Sequence, residues 1–186
     1  MKRYPGILSA FAVLASVVCT SAYASPPACS AATLRGSYAF EAHGQVMGII
    51  SGGTVHAFTT PQLLNDVAIL NFDGVNSFAR TDFGMIAGLP KGGQTMFNPN
   101  QTGTYTVNSD CTGTMTISYT GSGAGIVLGL VMVISSDGTH VDAIITSETV
   151  PFAGPTVDGT TCGSSCQEGV QVALSGRKVA NYGPHP

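Results

Sequence analysis

The chain has 186 residues, 44% of them hydrophobic and only 9% charged, with 24 glycines, no tryptophan and a formal net charge of −3. Globular domains average about 25% charged residues, and disorder goes with low hydrophobicity and high net charge; the composition therefore argues against a disordered chain and against a charged coiled coil. A pI near 5.7 argues equally against a nucleic-acid footprint, for which a domain pI above about 9 is expected.

In chain order, Lys2 and Arg3 precede an apolar stretch from Ile7 to Val18, broken only by Ser9 and Ser16, and small residues then lead to Ala22-Tyr23-Ala24. A basic start, an apolar centre and an A-x-A site are the order of a secretory signal peptide. The apolar run is shorter than the about 20 residues a spanning helix needs, although a retained anchor is the competing reading. Residues 1–24 are thus expected to be cleaved, leaving residues 25–180 as one domain without a membrane span and residues 181–186 as a loose tail. Lys2 and Arg3 leave with the leader, so the mature part is more acidic than the whole chain.

Leu34, Gly36, Tyr38, Phe40 and Ala42 alternate with Arg35, Ser37, Ala39, Glu41 and His43, the period of a half-buried strand. Gln45 to Phe58 reads as a hairpin, with a flap over a barrel mouth as the alternative, and Gln62 to Ala68 allows one helical turn at most. Val67 to Phe72 and Ser77 to Ile86 flank Asp73-Gly74, a strong hairpin signal. Thr104 to Val107 and Thr114 to Thr120 alternate on either side of the turn formers Asn108 to Gly113. Ile126 to Ile134 is nearly all apolar and predicts a strand buried on both faces. Thr139 to Thr146 answers it across Asp137-Gly138, Val150 to Gly169 is loop-like, and Gly169 to Val179 is the last strand. Seven or eight strands joined mainly by tight turns predict an all-β fold, a single antiparallel barrel of about eight strands. A β-sandwich is the alternative, and the barrel is preferred because closure removes exposed edges.

Cys19 leaves with the leader, while Cys29, Cys111, Cys162 and Cys166 remain. An even number in an exported chain reads as disulfides, with three connectivities open. Cys162-Gly-Ser-Ser-Cys166 is spaced for a local clip, which leaves Cys29 to pair with Cys111. Zinc is the competing reading, but Cys29 and Cys111 are not in C-x-x-C pairs, and neither a metal nor another cofactor is expected.

Two motifs, Cys29-Ser-Ala-Ala-Thr-Leu-Arg-Gly-Ser-Tyr-Ala-Phe40 and Gly103-Thr-Tyr-Thr-Val-Asn-Ser-Asp-Cys-Thr-Gly-Thr114, accompany the turn Asn71-Phe72-Asp73-Gly74. Together they resemble a family of small exported bacterial proteins, similar in fold to the allene oxide cyclase and calycin barrels. The resemblance covers most of the mature chain and implies an eight-stranded barrel with the two motif cysteines bridged. The clip at Cys162 and Cys166 and the longer stretch between Gly44 and Asp66 depart from the family pattern. No catalytic residue carries over, and a barrel alone does not give a function.

Residues with chemistry are few. Glu41 and His43 lie two apart on one strand, hence on one face, and His140 and Asp142 repeat that arrangement. If the two strands were neighbours, these four would converge as a metal or acid-base site; the bland reading is two polar faces of half-solvated strands. Ser164 and Ser165 lack an assignable base, Asn100-Gln101-Thr102 matches a short glycosylation pattern, and no H-E-x-x-H, G-x-S-x-G or phosphate-binding motif is present. Tyr38, Phe40, Met115, Ile117, Tyr119 and Leu128 are the candidate lining of a cavity, since a barrel of about eight strands just holds one small ligand. The alternative is that these side chains fill the barrel.

The sequence thus predicts an exported, periplasmic or secreted, non-catalytic barrel that binds a small apolar ligand or a surface component, without a nucleic-acid partner. A second reading is a cyclase or isomerase acting on an apolar substrate, its acid-base groups drawn from Glu41, His43, His140 and Asp142. A third is a structural or adhesive surface subunit, for which the arm Ser25 to Thr33, with Cys29 bridged, is a poor donor strand. Oligomeric state is not set by the sequence.

Overall fold

A computed structural model describes residues 28–179; the expected leader, residues 1–24, and tail, residues 181–186, lie outside the described residues. Nine strands follow in order: β1 (Arg35–Ser51), β2 (Thr54–Asp73), β3 (Ser77–Ile86), β4 (Leu89–Pro90), β5 (Asn98–Val107), β6 (Thr112–Tyr119), β7 (Val127–Ile134), β8 (His140–Val150) and β9 (Cys166–Lys178). All neighbours are antiparallel, from β2 through β1, β9, β8, β7, β6 and β5 to β3, and β2 also pairs with β3. That last ladder, Leu64↔Ile86 to Phe72↔Phe78, closes an eight-stranded antiparallel barrel, while the two-residue β4 is an extra strand on β3.

Period-two patterning builds the barrel. Tyr38, Phe40 and Ala42 of β1 and Leu64, Asp66, Ala68, Leu70 and Phe72 of β2 are buried, and the residues between them along each strand are exposed or half-buried. The same rhythm runs from Gln62 to Ala68, so that segment is strand and not a helical turn. Residues 45–58 form the expected hairpin: β1 and β2 run on past the barrel and reverse at Gly52 and Gly53, both at positive φ. β7 corrects an expectation, because it alternates and is not buried on both faces; Val127, Val131 and Val133 stand exposed on the outside. β5 begins at Asn98, earlier than Thr104, because cross-strand pairing with β3 and β6 overrides the poor strand propensity of Asn, Pro and Gly.

The two ends of the barrel differ. One carries the β2–β3, β5–β6 and β7–β8 turns and is closed by aromatic packing. Phe72 lies edge-on to Tyr38 at 5.3 Å and to Tyr105 at 5.1 Å, with Phe78 at 5.1 Å. The Tyr38 hydroxyl donates to the Gly138 carbonyl, and that of Tyr105 to the Leu34 carbonyl at 3.1 Å. Glycine makes room for these rings, since a Cβ at Gly103 would overlap Phe78 and one at Gly176 would overlap Phe40. Cys29 is bridged to Cys111 at this end, and Cys162, in the loop after β8, to Cys166, the first residue of β9, the pairing expected from the spacing. Disulfides of this kind belong to a non-cytoplasmic setting. Among the described residues no helix is long and apolar enough to cross a membrane.

Candidate functional site

The opposite end of the barrel is polar inside. Asp66 on β2, Arg80 and Asp82 on β3, Gln101 on β5 and Tyr119 on β6 all point inward and are buried. A glycine-rich segment between β3 and β5, residues 87–97, folds over them and inserts Lys91 and Gln94. Arg80 donates from Nη2 to Asp66 at 2.7 Å and from Nη1 to Asp82 at 2.6 Å, and also to the Gln101 side-chain oxygen and the Tyr119 hydroxyl. The Lys91 ammonium bridges the same two carboxylates, 2.6 Å from Asp66, and donates to the Tyr119 hydroxyl at 3.1 Å. Two cations and two carboxylates alternate, so the ring is neutral.

The two carboxylates are unequal. Asp82 also accepts from Gln101 Nε2 at 2.6 Å and Gln94 Nε2 at 3.0 Å. Burial would raise its pKa, but Arg80 and Lys91 hold it well below the usual carboxylate range. Asp66 receives only Arg80 and Lys91, and burial, with the neighbouring Asp82 charge, outweighs them and pushes it up to about 6. Burial likewise raises the Tyr119 phenol.

Beneath this ring lies a cavity of about 40 Å³, lined mainly by aliphatic side chains, among them Leu64, Ile86, Ile117, Leu128 and Ile145, and also by Asp66, Arg80, Lys91, Tyr119 and Glu148. At that volume it has room for about one or two waters. Glu148 comes from β8, where the ladder to β9 is irregular between Ile144 and Glu148, and it pairs in register with Glu168. Burial raises the Glu148 carboxyl, with Lys91 opposing, and burial together with the Glu148 charge pushes Glu168 up to about 7. Among the described residues, two buried side-chain atoms lack a hydrogen-bond partner, Arg80 Nε and Glu148 Oε2. Both residues line this cavity. Convergent polar groups with displaced pKa values on an otherwise apolar wall mark a candidate site.

All six residues expected to line a cavity are buried. Ile117, Tyr119 and Leu128 do line it, whereas Tyr38, Phe40 and Met115 pack into the core away from it. Most of the barrel is therefore filled by side chains. The four candidate polar residues lie on the outer face: Glu41, His43 and Asp142 are each more than 60% exposed, and His140 is half-buried. β9 separates β1 from β8, and Glu41 and Asp142 flank Ser175 from either side. The four consequently stay as two pairs, His43–Glu41 at 3.6 Å and His140–Asp142 at 3.0 Å. No cluster of three or more His, Cys, Asp or Glu side chains suited to a metal occurs among the described residues. Glu41, His43 and Asp142 border an open groove of about 770 Å³ on the outer face, floored by Val131, Val133 and Ile144. Ser165 borders a second surface groove near the clip, beside Thr160 and Gln167.

Apart from Tyr119, the residues of the interior ring were missed by sequence reasoning. Their signal was phase: Asp66 sits in the inward register of Leu64, Ala68 and Leu70, and Arg80 and Asp82 follow Phe78 at steps of two. Charged side chains are rarely fully buried unless paired. No protein-family model, curated protein or solved structure matches the chain.

Proposed function

We propose that the protein is an exported binding barrel, and that it takes a small molecule with an apolar body and one polar group at the end covered by residues 87–97. The observation that carries this reading is the cavity whose wall is mainly aliphatic and otherwise formed by Asp66, Arg80, Lys91, Tyr119 and Glu148, with Arg80 Nε and Glu148 Oε2 left unpartnered. A barrel packed only for stability gains nothing from buried charges that well-packed apolar residues would replace without loss. Export is inferred from the leader-like residues 1–24 and agrees with the two disulfides.

The test is fluorescence titration with 2-naphthol, which joins an apolar body to one hydroxyl. The closed cavity is too small for it, so saturable one-to-one binding is expected with residues 87–97 lifted from the site, and Ile145→Phe, which narrows the cavity, should weaken it at least about tenfold, or about 1.4 kcal/mol. Absence of saturable binding to the folded protein, or binding indifferent to Ile145→Phe, overturns the reading.

A second reading, an isomerase or cyclase working by proton transfer, is favoured by one observation. The Glu148 carboxyl is raised by burial and lines the same mainly apolar pocket as the cations and phenol of the ring, a combination suited to moving a proton while developing charge is stabilised nearby. Glu41, His43, His140 and Asp142 face outward and do not serve it. It predicts that the protein speeds deuterium exchange into the α-carbons of cyclohexanone and that Glu148→Gln abolishes this.

A further inference from the structure

The ring beneath residues 87–97 contains one charged member of a different origin. Asp66, Arg80, Asp82, Gln101 and Tyr119 project from strands of the closed barrel, whereas Lys91 is delivered by the covering segment. That segment is lightly held. Its strand pairing is the two-residue β4, its backbone is tied by Ala87 N–H to the Leu63 carbonyl at 2.9 Å, and Gln94 adds side-chain bonds to Asp82 and Gly84. Gly88, Gly92 and Gly93 lie at positive φ, and Leu89, Met96 and Phe97 are exposed.

Resting on the reading of this end as a binding pocket, we infer that the site between Asp66 and Asp82 is a receptor for a primary ammonium group on a compact apolar body, and that Lys91 is its tethered occupant. When Lys91 withdraws, Arg80 alone faces two carboxylates, so the ring is left with one uncompensated negative charge beside Leu64, Ile86, Ile117 and Leu128. A neutral or anionic ligand leaves that charge buried and unpaired, whereas a protonated amine replaces the Lys91 ammonium donor for donor at Asp66, Asp82 and the Tyr119 hydroxyl. Arg80, whose side chain is 4% exposed, and Glu148 both line this cavity, and Glu148 keeps Oε2 unpartnered. The pocket is thus incomplete in its own atoms, and Glu148 offers an acceptor to a second donor on the ligand. The four-carbon lysine stem, once withdrawn, vacates the volume that the closed cavity lacks.

The experiment is calorimetric titration of the full chain with n-hexylammonium and, in parallel, 1-hexanol, on the wild type and on Lys91→Met. Lys91 competes with the ligand, and a closed site open only a few per cent of the time weakens apparent affinity in proportion. Lys91→Met is therefore expected to bind hexylammonium at least about tenfold more tightly than the wild type, with hexanol weaker than hexylammonium in both proteins. In the wild type, hexylammonium should also raise amide exchange across residues 87–97 as the segment is displaced. This last measurement stands if Lys91→Met fails to fold. Equal or weaker amine binding in Lys91→Met, hexanol binding as tightly as the amine, or unchanged or slower exchange at residues 87–97 overturns the inference. If 2-naphthol still binds in that case, the pocket stands and only its preference for ammonium falls; if 2-naphthol fails too, both fall.

Discussion

The two ends of this barrel are built from the same eight strands and solve burial in opposite ways. At the turn end, Phe72 meets Tyr38, Phe78 and Tyr105, the hydroxyls of both tyrosines have backbone acceptors, and Cys111 is tied to the arm before β1. At the covered end, Asp66, Arg80, Asp82 and Lys91 take the place of aromatic rings, two polar atoms have no partner, and a glycine-rich segment is the closure. Aromatic packing loses nothing to desolvation, whereas a buried ion pair at best offsets it. The stability of the fold accordingly resides at the turn end, and the covered end holds charges that stability does not require.

The largest effect expected from this division is at the disulfides. Cys29–Cys111 spans 82 residues of sequence and Cys162–Cys166 spans 4. By loop-closure entropy, replacing the first pair with alanine costs about 4–5 kcal/mol and replacing the second about 2. Urea midpoints of the two double mutants should fall in that order, and the reverse order would break the division between the ends. Next, Phe72→Ala opens the aromatic cluster and should cost about 3–5 kcal/mol. Arg80→Met alone should cost a similar amount, because it strands Asp66 and Asp82 without their guanidinium. The sharper comparison replaces the whole ring at once. Asp66→Leu, Arg80→Met, Asp82→Leu, Lys91→Met, Gln101→Met and Tyr119→Phe together should leave stability unchanged or raise it by about 1–4 kcal/mol, while abolishing 2-naphthol binding. A large loss in this combined variant would make the ring a structural element.

How far each end was legible in the sequence follows the same physics. The aromatic end could be read because Leu34, Tyr38 and Phe40 announce period two against Arg35, Ala39 and Glu41, and because Asp73-Gly74 marks the turn. The covered end could be read only in part. Asp66 and Arg80 interrupt the inward rhythm, but a charge among apolar residues signals burial only once its partner is known, and the partners come from β2, β3 and β5. Lys91 has no periodic context at all: it reaches the ring because closure of β2 on β3 brings residues 87–97 over the barrel mouth. The outward set, Glu41, His43, His140 and Asp142, attracted attention by residue type, yet its phase is that of the solvent face.

A smaller effect lies in pH. The Glu168 carboxyl, raised by burial and by Glu148 to about 7 against 4.5 when free, binds its proton more tightly in the folded chain than in the unfolded one. Between about pH 4.5 and 7 the unfolded state releases that proton first, so stability falls as pH rises through this window and levels off above it. Asp66, at about 6, adds to the fall; Asp82, held low, acts in the opposite direction and only at more acid pH. Water reaches part of the Glu168 side chain, so its slope should stay below about 1 kcal/mol per pH unit. The gap between urea midpoints at pH 5 and pH 7 should narrow in Glu168→Gln, with Asp66 keeping the remainder, and an unchanged slope would place the titrating group elsewhere.

The smallest effect expected is on the outer face, and it discriminates between the inside and the outside of the barrel. Ile144 and Ile145 are adjacent on β8 and point to opposite faces: Ile144 is 53% exposed on the floor of the open groove, while Ile145 lines the interior cavity. Ile144→Thr removes apolar surface from the groove without opening a cavity, so stability should move by no more than about 0.5 kcal/mol. Threonine keeps the β-branch that suits a strand, so β8 should retain its register and Ile145 its position. Affinity for 2-naphthol should therefore be the same in Ile144→Thr as in the wild type, and reduced in Ile145→Phe. Loss of binding in Ile144→Thr with retention in Ile145→Phe would move the ligand to the groove bordered by Glu41, His43 and Asp142, and the buried ring would then require another explanation.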